Sequence, residues 1–595
     1  MATFDLLIRG GTIVDGSGGP AFKGDVGIVD GVISAVGRIG GSGRETIDAG
    51  GMLVTPGFID PHTHYDGQVT WENTLTPSSG HGVTTVAMGN CGVGFAPCKA
   101  DERSILVKIM EGVEDVPEIV MTEGIPWAWE TFPEYLDFVA KRRFDADCAA
   151  FLPHAALRVF VMGRRAAGGT STPEERAEMT RLVVEAMEAG AIGVSTSRAL
   201  FHRDSAGNLA PHVESGRLEL LALAEGLRVA GRGVFQMITG LLNQQLKEFD
   251  STADDAGDKI IYQEVELMRD LSRASGRPVH FTLTDVREAP SLYHRVLDLI
   301  AEENANGATI KAQIFPRPVG LLYGLQMSLH PFKLHPSYKP LDGLPLVEKV
   351  ARMRDPEVRA RILSEELDAD HPSPVVKFLV SRSLESYPWR TEADYEPAIE
   401  EGLIAVAERK GLTVQEAAYD ALLEDDGKSI LYLPMVNFAG NNLVHVHEMM
   451  SHPDALLGLG DGGAHYGLIC DASYPTFVLT YWTRDRDGPR ISIPEAVEAM
   501  TRRPALALGM EDRGLIATGF KADINVIDYD NLKLHLPTVT HSLPAQGRRI
   551  VQPASGYIAT IVDGEITYRH GMATGARPGR LTRLAPCCSR QTDAA

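Results

Sequence analysis

The sequence predicts an α/β protein: a distorted (β/α)8 barrel of the TIM type with a small β-sandwich domain built from both ends of the chain. Short apolar strands alternate with helical segments through the middle of the 595 residues, which is the pattern of a parallel barrel. Short strands separated by glycine turns occur at both ends. The predicted organisation is a β domain of residues 1–55 plus 515–575, a barrel over 56–514 and a flexible tail over 576–595.

Eight candidate strands carry the barrel prediction, and capping signals mark the helices between them. Thr172-Pro173-Glu174-Glu175 supplies an N-cap, a proline at the first helical position and a capping-box glutamate. Ser492-Ile493-Pro494-Glu495 opens another helix in the same way. The candidate strands are Val54–Pro61, Val83–Met88, Cys148–Leu152, Ala191–Ser195, Val234–Ile238, Val279–Thr284, Thr309–Phe315 and Leu456–Leu459.

The connection between the seventh and eighth strands, about 317–454, is far longer than ordinary barrel loops. It contains helical segments of its own. We therefore predict an insertion that serves as a lid or a subunit contact, and we expect a homo-oligomer.

The two chain ends are predicted to fold together. Residues 24–37 have the pattern of a hairpin with an Asp30-Gly31 turn, and residues 522–528 and 557–566 have the same strand-like texture. A lone hairpin is only marginally stable in water. Pairing the two ends into one β domain would bury the apolar side chains of both.

Composition excludes several classes of partner. The net charge is 57 − 79 = −22, which argues against binding to nucleic acid or to an anionic membrane. The six cysteines form no CxxC pair, so we expect a reducing, cytoplasmic setting. No apolar run is long enough to cross a bilayer, and no signal peptide is evident.

The strongest chemical signal is the pair His62 and His64 at the end of the first predicted strand. Side chains two residues apart on a strand point to the same side. Two imidazoles on one side can share one metal ion, whereas a bare His-x-His elsewhere is a weak signal. The alternative is that both histidines only form hydrogen bonds in a loop.

Further ligand-type residues follow other predicted strands, at the barrel end where active sites lie. Cys91 follows strand two, His154 follows strand three, and Asp461 and His465 follow strand eight. Imidazole, thiolate and carboxylate are the ligands typical of zinc. We assign His62, His64, Cys91 and Asp461 to the metal, and His154 and His465 to substrate binding or to support of the ligands.

Each of these assignments has an alternative. Asp461 is also suited to a turn or a helix N-cap, and a buried cysteine such as Cys91 often serves only as a small apolar residue. His154 and His465 could equally be polar residues satisfied at the start of a loop.

The mechanism that this set permits is metal-assisted hydrolysis. A bound ion lowers the pKa of water from ~16 to ~7 and polarises a carbonyl group. Asp461, as the acid and base, can take a proton from the water and pass it to a leaving nitrogen. His62 and His64 remain ligands throughout.

The chain resembles the amidohydrolase superfamily and, within it, the N-acyl-D-amino-acid deacylase branch. The resemblance rests on the segments 4–16, 56–64, 82–86, 89–92, 156–158, 161–163, 190–196 and 514–523. It implies a zinc-dependent hydrolase of a small-molecule amide, with His62 and His64 as ligands and Asp461 as the catalytic acid/base. In that branch a cysteine replaces a carboxylated lysine, and Cys91 stands at its place.

The chain also departs from the branch. Ile238 and Leu283 stand where the branch has two further histidines, and His280 is expected to point outward from its strand. The resemblance therefore leaves open whether one or two zinc ions, or other divalent ions, bind.

The branch's lysine and arginine for a substrate carboxylate are also replaced, by Asp285 and Ala472. Arg198 or Arg317 could take over that role, although each is more readily explained as a solvated or structural arginine.

Three hypotheses follow. The first is a metal-dependent amidohydrolase acting on a small N-acyl compound. The second is a hydrolase of cyclic amides, such as hydantoins, or of carbamates, against which the missing carboxylated lysine counts. The third is a barrel that has lost its chemistry and serves as a scaffold, which the retained His62, His64 and Asp461 oppose.

Overall fold

A parallel sheet of eight strands forms the centre of the molecule. The computed structural model describes residues 3–246, 257–368, 371 and 373–584. Neighbouring strands pair in chain order and in parallel, which confirms the predicted barrel. Strands one to eight of the barrel are Phe58–Asp60, Val83–Met88, Asp147–Pro153, Gly193–Ser197, Val234–Ile238, Val279–Leu283, Ile310–Ile314 and Ala455–Leu457.

The first predicted strand, Val54–Pro61, is in fact two strands. Leu53–Pro56 belongs to the terminal sheet, whereas Phe58–Asp60 begins the barrel. The break falls at Gly57, whose N–H donates to the carbonyl of Asp523 at 2.8 Å instead of continuing a single ladder. Pro56-Gly57, a turn-forming pair inside the predicted run, is the sequence signal of this change of sheet.

The loops after strands one and eight close the barrel at its carboxyl end. These two strands are the two ends of the sheet in its hydrogen-bonding order. Beyond them the His64 N–H donates to the carbonyl of Gly462 at 2.8 Å, and the Asp461 N–H donates to the carbonyl of His62 at 3.2 Å. The closure therefore brings together two of the segments predicted to carry the chemistry.

Helices cover the outside of the barrel. Both predicted capping boxes are present, at Thr172 with Glu175 and at Ser492 with Glu495. The main helices along the barrel are Arg103–Glu114, Glu118–Gly124, Phe132–Ala140, His154–Met162, Pro173–Glu188, Arg217–Ala230, Gly257–Ser275, Leu292–Ala305, Ile493–Met500 and Arg502–Ala507. Within the described ranges, none of the helices is both long and apolar enough to cross a membrane.

Both chain ends contribute to one sheet, as predicted. Leu53–Pro56 pairs antiparallel with Ile524–Ile527 and so joins the amino-terminal strands to the carboxyl-terminal ones. The predicted hairpin is also present, with Asp30 and Gly31 in the left-handed conformation between its strands. The strands are Thr3–Ile13, Phe22–Val29, Val32–Gly37, Ser42–Asp48, Leu53–Pro56, Ile524–Ile527, Tyr557–Val562, Glu565–Arg569 and Met572–Ala573.

The segment between strands seven and eight has a sheet and a hydrophobic core of its own. It packs beside the loop that follows strand eight, where the Leu322 N–H donates to the carbonyl of Leu468 at 2.8 Å. Its strands are Val319–Tyr323, Tyr387–Trp389 and Ile430–Val436, and its helices are Leu346–Met353, Pro356–Ser364, Pro374–Arg382, Leu403–Lys410, Val414–Leu422 and Val444–Met450.

The carboxyl-terminal segment departs from the expected flexible tail. Gly579 exchanges backbone hydrogen bonds of 2.9 Å with Phe144, and the Leu584 N–H donates to the carbonyl of Gly190 at 3.2 Å. Backbone hydrogen bonds therefore hold residues 576–584 against the barrel. Such bonds cannot be read from the side-chain composition on which the expectation of a flexible tail was based. Residues 585–595 of the expected tail lie outside the described residues.

A buried ion pair secures the amino-terminal end of strand three. Asp147 accepts a hydrogen bond from Arg513 at 2.8 Å and also contacts Lys521. Burial opposes ionisation of Asp147, but the charges of Lys521 and Arg513 outweigh it and lower the pKa to about 2. The pair therefore stabilises the fold above the ordinary pKa of 3.8, and its contribution is lost as pH falls through about 2.

We expect Asp147→Asn to lower the free energy of unfolding by about 3–5 kcal/mol at pH 7, because the buried cations Arg513 and Lys521 lose the carboxylate that they share. Urea denaturation followed by circular dichroism measures the change. Asp137→Asn is the matched control, since Asp137 pairs with Arg583 but is 65% exposed, and we expect it to cost no more than about 1 kcal/mol. Equal effects of the two substitutions would contradict the assignment.

Candidate metal centre

His62 and His64 follow strand one and are both buried. Their rings lie 5.5 Å apart between centroids. The His62 N–H donates to Asp60 Oδ1 at 3.1 Å, and Thr63, between the histidines, donates through its backbone and hydroxyl to the carbonyl of Ala87. The alternation predicted from the sequence, with Thr63 turned to the neighbouring strand, thus holds the two imidazoles at one centre.

Cys91 lies in a strained turn after strand two. Its φ is 56°, in the left-handed region that non-glycine residues rarely adopt. Asn90 donates to the carbonyls of Thr63 and Ala87, and His212 Nε2 bonds the carbonyl of Cys91 at 2.9 Å. These contacts hold the turn so that Cys91 Sγ lies 3.4 Å from Nε2 of His62.

Asp461 approaches the same histidines from the loop after strand eight. Its Oδ1 lies 3.6 Å from Nε2 of His62 and 3.4 Å from Nε2 of His64. The loop makes this approach through left-handed conformations at Leu459, Asp461 and Gly463. The carboxylate points to the histidines, which speaks against a simple turn or N-cap role.

The spacing of these side chains fits a metal ion better than it fits hydrogen bonds. His62, His64 and Cys91 have ligand atoms within 4.8 Å of one another. The distances of 3.4 and 3.6 Å from Asp461 Oδ1 to the Nε2 atoms of His64 and His62 exceed those of ordinary hydrogen bonds between nitrogen and oxygen. Ligands bound tetrahedrally at zinc distances are separated by about 3.3–3.6 Å. Neither ring nitrogen of His64 has a hydrogen-bond partner, as expected of a ligand awaiting an ion.

Burial keeps both imidazoles in the neutral form that binds metals. It lowers the pKa of His62 to about 4 and that of His64 to about 3. Burial, with the nearby carboxylates Glu114 and Asp461, raises the pKa of the Cys91 thiol well above its usual value. A cation at this centre would reverse that effect, because it favours the thiolate.

Gln313, on strand seven, orients His62 and was not predicted. Its Oε1 accepts from Nδ1 of His62 at 3.0 Å, so Nε2 of that ring is left to face the cluster. A polar residue that alternates with apolar neighbours on a buried strand is a signal from which Gln313 could have been found.

His465 and His154 differ in their surroundings. Nε2 of His465 lies 3.3 Å from Glu114 Oε2, and the charge of Asp461 acts on its ring, so His465 belongs to the cluster. His154 is buried, and its two ring nitrogens bond Thr196 at 2.8 Å and Glu219 at 2.9 Å. Both nitrogens being engaged, His154 is suited to supporting the neighbouring strand rather than to touching a substrate.

Glu114 and His202 also lie at the cluster, and neither was predicted. Glu114 ends the helix Arg103–Glu114, and its Oε2 lies 3.5 Å from Nε2 of His64. His202, in the loop after strand four, is buried and has an unpartnered Nδ1. Neither residue stands in a recognisable motif, and the fold alone brings them to this place.

Leu283 and the nearby His280, on strand six, lie on opposite faces of the sheet. Thr282 is in register with Gln313, which faces His62, so the inward face of strand six also carries His280, two residues before Thr282. The expectation that His280 points outward is therefore wrong. Leu283 alternates to the outer face.

Ile238 ends strand five in register with Ser197, and its apolar side chain offers no ligand atom.

If His62 and its neighbours hold a divalent ion, we expect Gln313→Leu to weaken the binding of added zinc by about 10- to 100-fold, because His62 loses the acceptor that fixes its ring. Competition with a chromophoric chelator measures the affinity. Gln313→Glu keeps an acceptor at the same place and should retain most of the affinity. An unchanged affinity in Gln313→Leu would contradict the role of this hydrogen bond.

The sequence matches known proteins over most of its length. The family model described as "Amidohydrolase family" matches residues 45–568. An N-acyl-D-aspartate deacylase from Alcaligenes xylosoxydans xylosoxydans is 27% identical over 590 residues, which cover 98% of this chain and 96% of that enzyme. A D-aminoacylase from the same organism is 38% identical over 196 residues, which cover 32% of this chain and 37% of that enzyme.

Solved structures share the fold. An N-acyl-D-glutamate deacylase from Bordetella bronchiseptica, complexed with zinc and a phosphonate inhibitor, has a TM-score of 0.63 and 22% identity, over 98% of this chain and 100% of that one. A crystal structure of D-aminoacylase has a TM-score of 0.62 and 21% identity over the same shares. Since the family model spans most of the sequence, the chain belongs to the amidohydrolase family.

Proposed function

We propose that this protein is a zinc-dependent amidohydrolase that cleaves the C–N amide bond of a small N-acyl compound, as the N-acyl-D-amino-acid deacylases do. One observation carries the proposal: Asp461 Oδ1 lies 3.4 and 3.6 Å from the Nε2 atoms of His64 and His62. A carboxylate so placed can act both at a metal and on a water molecule beside it.

The donor set supports zinc. Two imidazoles, the Cys91 thiolate and the Asp461 carboxylate combine nitrogen, sulfur and oxygen ligands, a mixture that zinc accepts readily. The related N-acyl-D-glutamate deacylase structure is complexed with zinc. When bound, the ion supplies Lewis acidity, which lowers the pKa of water to ~7 and polarises a carbonyl group.

In this proposal Asp461 moves the proton. It accepts one proton from the attacking water as the new C–O bond forms, and it returns that proton to the nitrogen as the C–N bond breaks. The products are a carboxylic acid and an amine. Burial raises the pKa of Asp461 above its usual value, which favours its taking the proton, while His62 and His64 hold the centre in place.

Arg317 and Arg198, the two arginines that could bind the carboxylate of an acyl amino acid, are both paired with carboxylates of the protein. Arg317 is fully buried, donates to Asp471 at 3.1 Å and lies over the ring of Tyr395. Arg198 pairs with the buried Glu264 at 2.9 Å. The proposed substrate class is therefore the N-acyl compound in general, without a required α-carboxylate.

The setting we propose is the cytoplasm. The four cysteines that the structure describes are free: Cys91, Cys98, Cys148 and Cys470. Free buried thiols, one of them at a metal centre, fit a reducing compartment.

We expect Asp461→Asn to lower kcat/KM for amide hydrolysis by at least about 100-fold, because the amide cannot accept the proton from water. The assay follows amine release from N-acetyl-D- and N-acetyl-L-amino acids and from neutral N-acyl amides. Ring opening of hydantoins frees no amine, so it is followed by the change in their ultraviolet absorbance. Cleavage of hydantoins alone would favour the cyclic-amide alternative.

Asp454→Asn is the control, since Asp454 pairs with Lys311 just before strand eight begins, away from the site-bearing loop, and should leave the rate unchanged. Hydrolysis that is equally fast in Asp461→Asn would show that Asp461 is not the acid and base. Zinc content is measured in every variant, so that loss of the metal is separated from loss of proton transfer.

A further inference from the structure

A group of basic and hydrogen-bond-donating side chains lies where the insertion meets a hairpin near the carboxyl end of the chain. His330, Tyr338 and Lys349 belong to the insertion between strands seven and eight. Arg548 lies on the strand Gly547–Val551, which forms one arm of the hairpin. We call these four residues the basic cluster, and the proposed reaction does not use it.

Backbone hydrogen bonds place the basic cluster next to the loop after strand eight. From the insertion, the Ser328 N–H donates to the carbonyl of Gly467 at 2.8 Å. From the strand that carries Arg548, the Ile550 N–H donates to the carbonyl of Tyr466 at 2.7 Å. The insertion and the hairpin are therefore both held against the same short segment of that loop.

His330 has a hydrogen-bond donor without an acceptor. The residue is 1% exposed, and its Nδ1 accepts the N–H of Phe332 at 3.2 Å. Burial lowers the pKa of His330 well below its usual value, so the ring is neutral. A neutral imidazole that accepts at Nδ1 carries its proton on Nε2, and this buried Nε2 has no hydrogen-bond partner.

Tyr338 lies against the ring of His330 and is in the same situation. The two rings stand edge to face, with their centroids 4.3 Å apart. Tyr338 is fully buried, and its hydroxyl group has no hydrogen-bond partner. Because buried polar groups in native proteins nearly always have a partner, two such neighbouring groups point to a ligand that accepts hydrogen bonds.

Lys349 brings a buried positive charge to the same place. Its ammonium group lies 5.9 Å from the centre of the Tyr338 ring, and the residue is only 5% exposed. It donates to the carbonyl of Leu325 at 3.3 Å, and it forms no ion pair with any residue that the structure describes. Burial lowers the pKa of Lys349, so an anion beside the ammonium group would stabilise its charged form.

Arg548 supplies a second positive charge from the hairpin. Its charge acts on His330, Tyr338 and Lys349, so the guanidinium group faces the insertion. In the described part of the chain this guanidinium group has neither a hydrogen bond nor an ion pair. Its donors are therefore free for a ligand.

The carboxylates nearby leave the basic cluster positively charged. Asp342 is already paired with Lys333 at 2.7 Å. The charge of Arg548 also acts on Asp115, but one carboxylate balances only one of the two cations, Lys349 and Arg548. A buried positive charge of this kind needs a negative partner.

We propose that the basic cluster binds a small tetrahedral oxyanion of the phosphate class. Its imidazole, hydroxyl, ammonium and guanidinium groups all donate hydrogen bonds, and the last two carry charge as well. Donors from four side chains suit the four oxygens of a tetrahedral anion better than the two of a carboxylate. The cluster shares no residue with the zinc centre, so this inference goes beyond the proposed function and does not depend on it.

The test is a calorimetric titration of the full-length protein, as purified, with sodium phosphate at constant ionic strength. We expect saturable binding of phosphate and none of chloride. Lys349→Met should weaken the binding by at least about 10-fold, because it removes a charged donor and keeps the length of the side chain. Lys339→Met is the matched control and should bind as the wild type does, since Lys339 also lies in the insertion but is 53% exposed and pairs with Asp368.

Tyr338→Phe tests the same site without a change of charge. Loss of one neutral donor should weaken phosphate binding by roughly 2- to 10-fold. Circular dichroism confirms that each variant is folded, and Tyr338→Phe takes the place of Lys349→Met if the latter does not fold.

Diffraction from crystals soaked in sodium selenate locates the anion directly, because selenium gives an anomalous signal. We expect selenate oxygens about 2.7–3.2 Å from Lys349 Nζ and from the Tyr338 hydroxyl group. Selenate found only elsewhere, no phosphate binding by the wild type, or equally tight binding by Lys349→Met and Tyr338→Phe would overturn the proposal. None of these results would affect the proposed hydrolysis, which is measured separately.

Discussion

Two backbone hydrogen bonds between the loops after strands one and eight determine the geometry of the whole site. They run from His64 to Gly462 and from Asp461 to His62. Because strands one and eight are the two edges of the sheet, these bonds join the edges. The same bonds place the Asp461 carboxylate opposite the imidazoles of His62 and His64. A side chain at Gly463 would lie 2.7 Å from the backbone of His64, so this close approach requires a glycine.

Several buried ionisable side chains lie close together where the loops after strands one and eight meet. Burial raises the pKa of Asp60 to about 8 and that of Glu114 well above its usual value, while it lowers the pKa values of His62, His64 and His465. Every one of these shifts opposes the charged form. A cation at the centre would favour the ionised carboxylates and the thiolate and would leave the imidazoles neutral. One bound ion would therefore compensate the burial of carboxyl, thiol and imidazole groups together.

Local sequence patterns are sufficient to predict the barrel, the terminal sheet and the ligand-type residues that follow the strand ends. His62 and His64 could be paired by their spacing, and Asp461 by its place after the eighth strand. Glu114 could not be found in this way, because it is one of two glutamates on the helix Arg103–Glu114 and meets its partners only through the folded loop. His280 was misplaced because its register became known only from Thr282 and Gln313.

The terminal sheet has a consequence for the order in which the chain folds. Leu53–Pro56 pairs with Ile524–Ile527, which comes after all eight barrel strands in the chain. On the ribosome, therefore, the apolar faces of the first strands, including Leu6 and Ile8, stay without part of their cover until the barrel and then Ile524–Ile527 have been synthesised. The barrel can begin to assemble earlier, so the amino-terminal strands expose apolar surface for longer during translation than strands whose partners lie nearby in the chain.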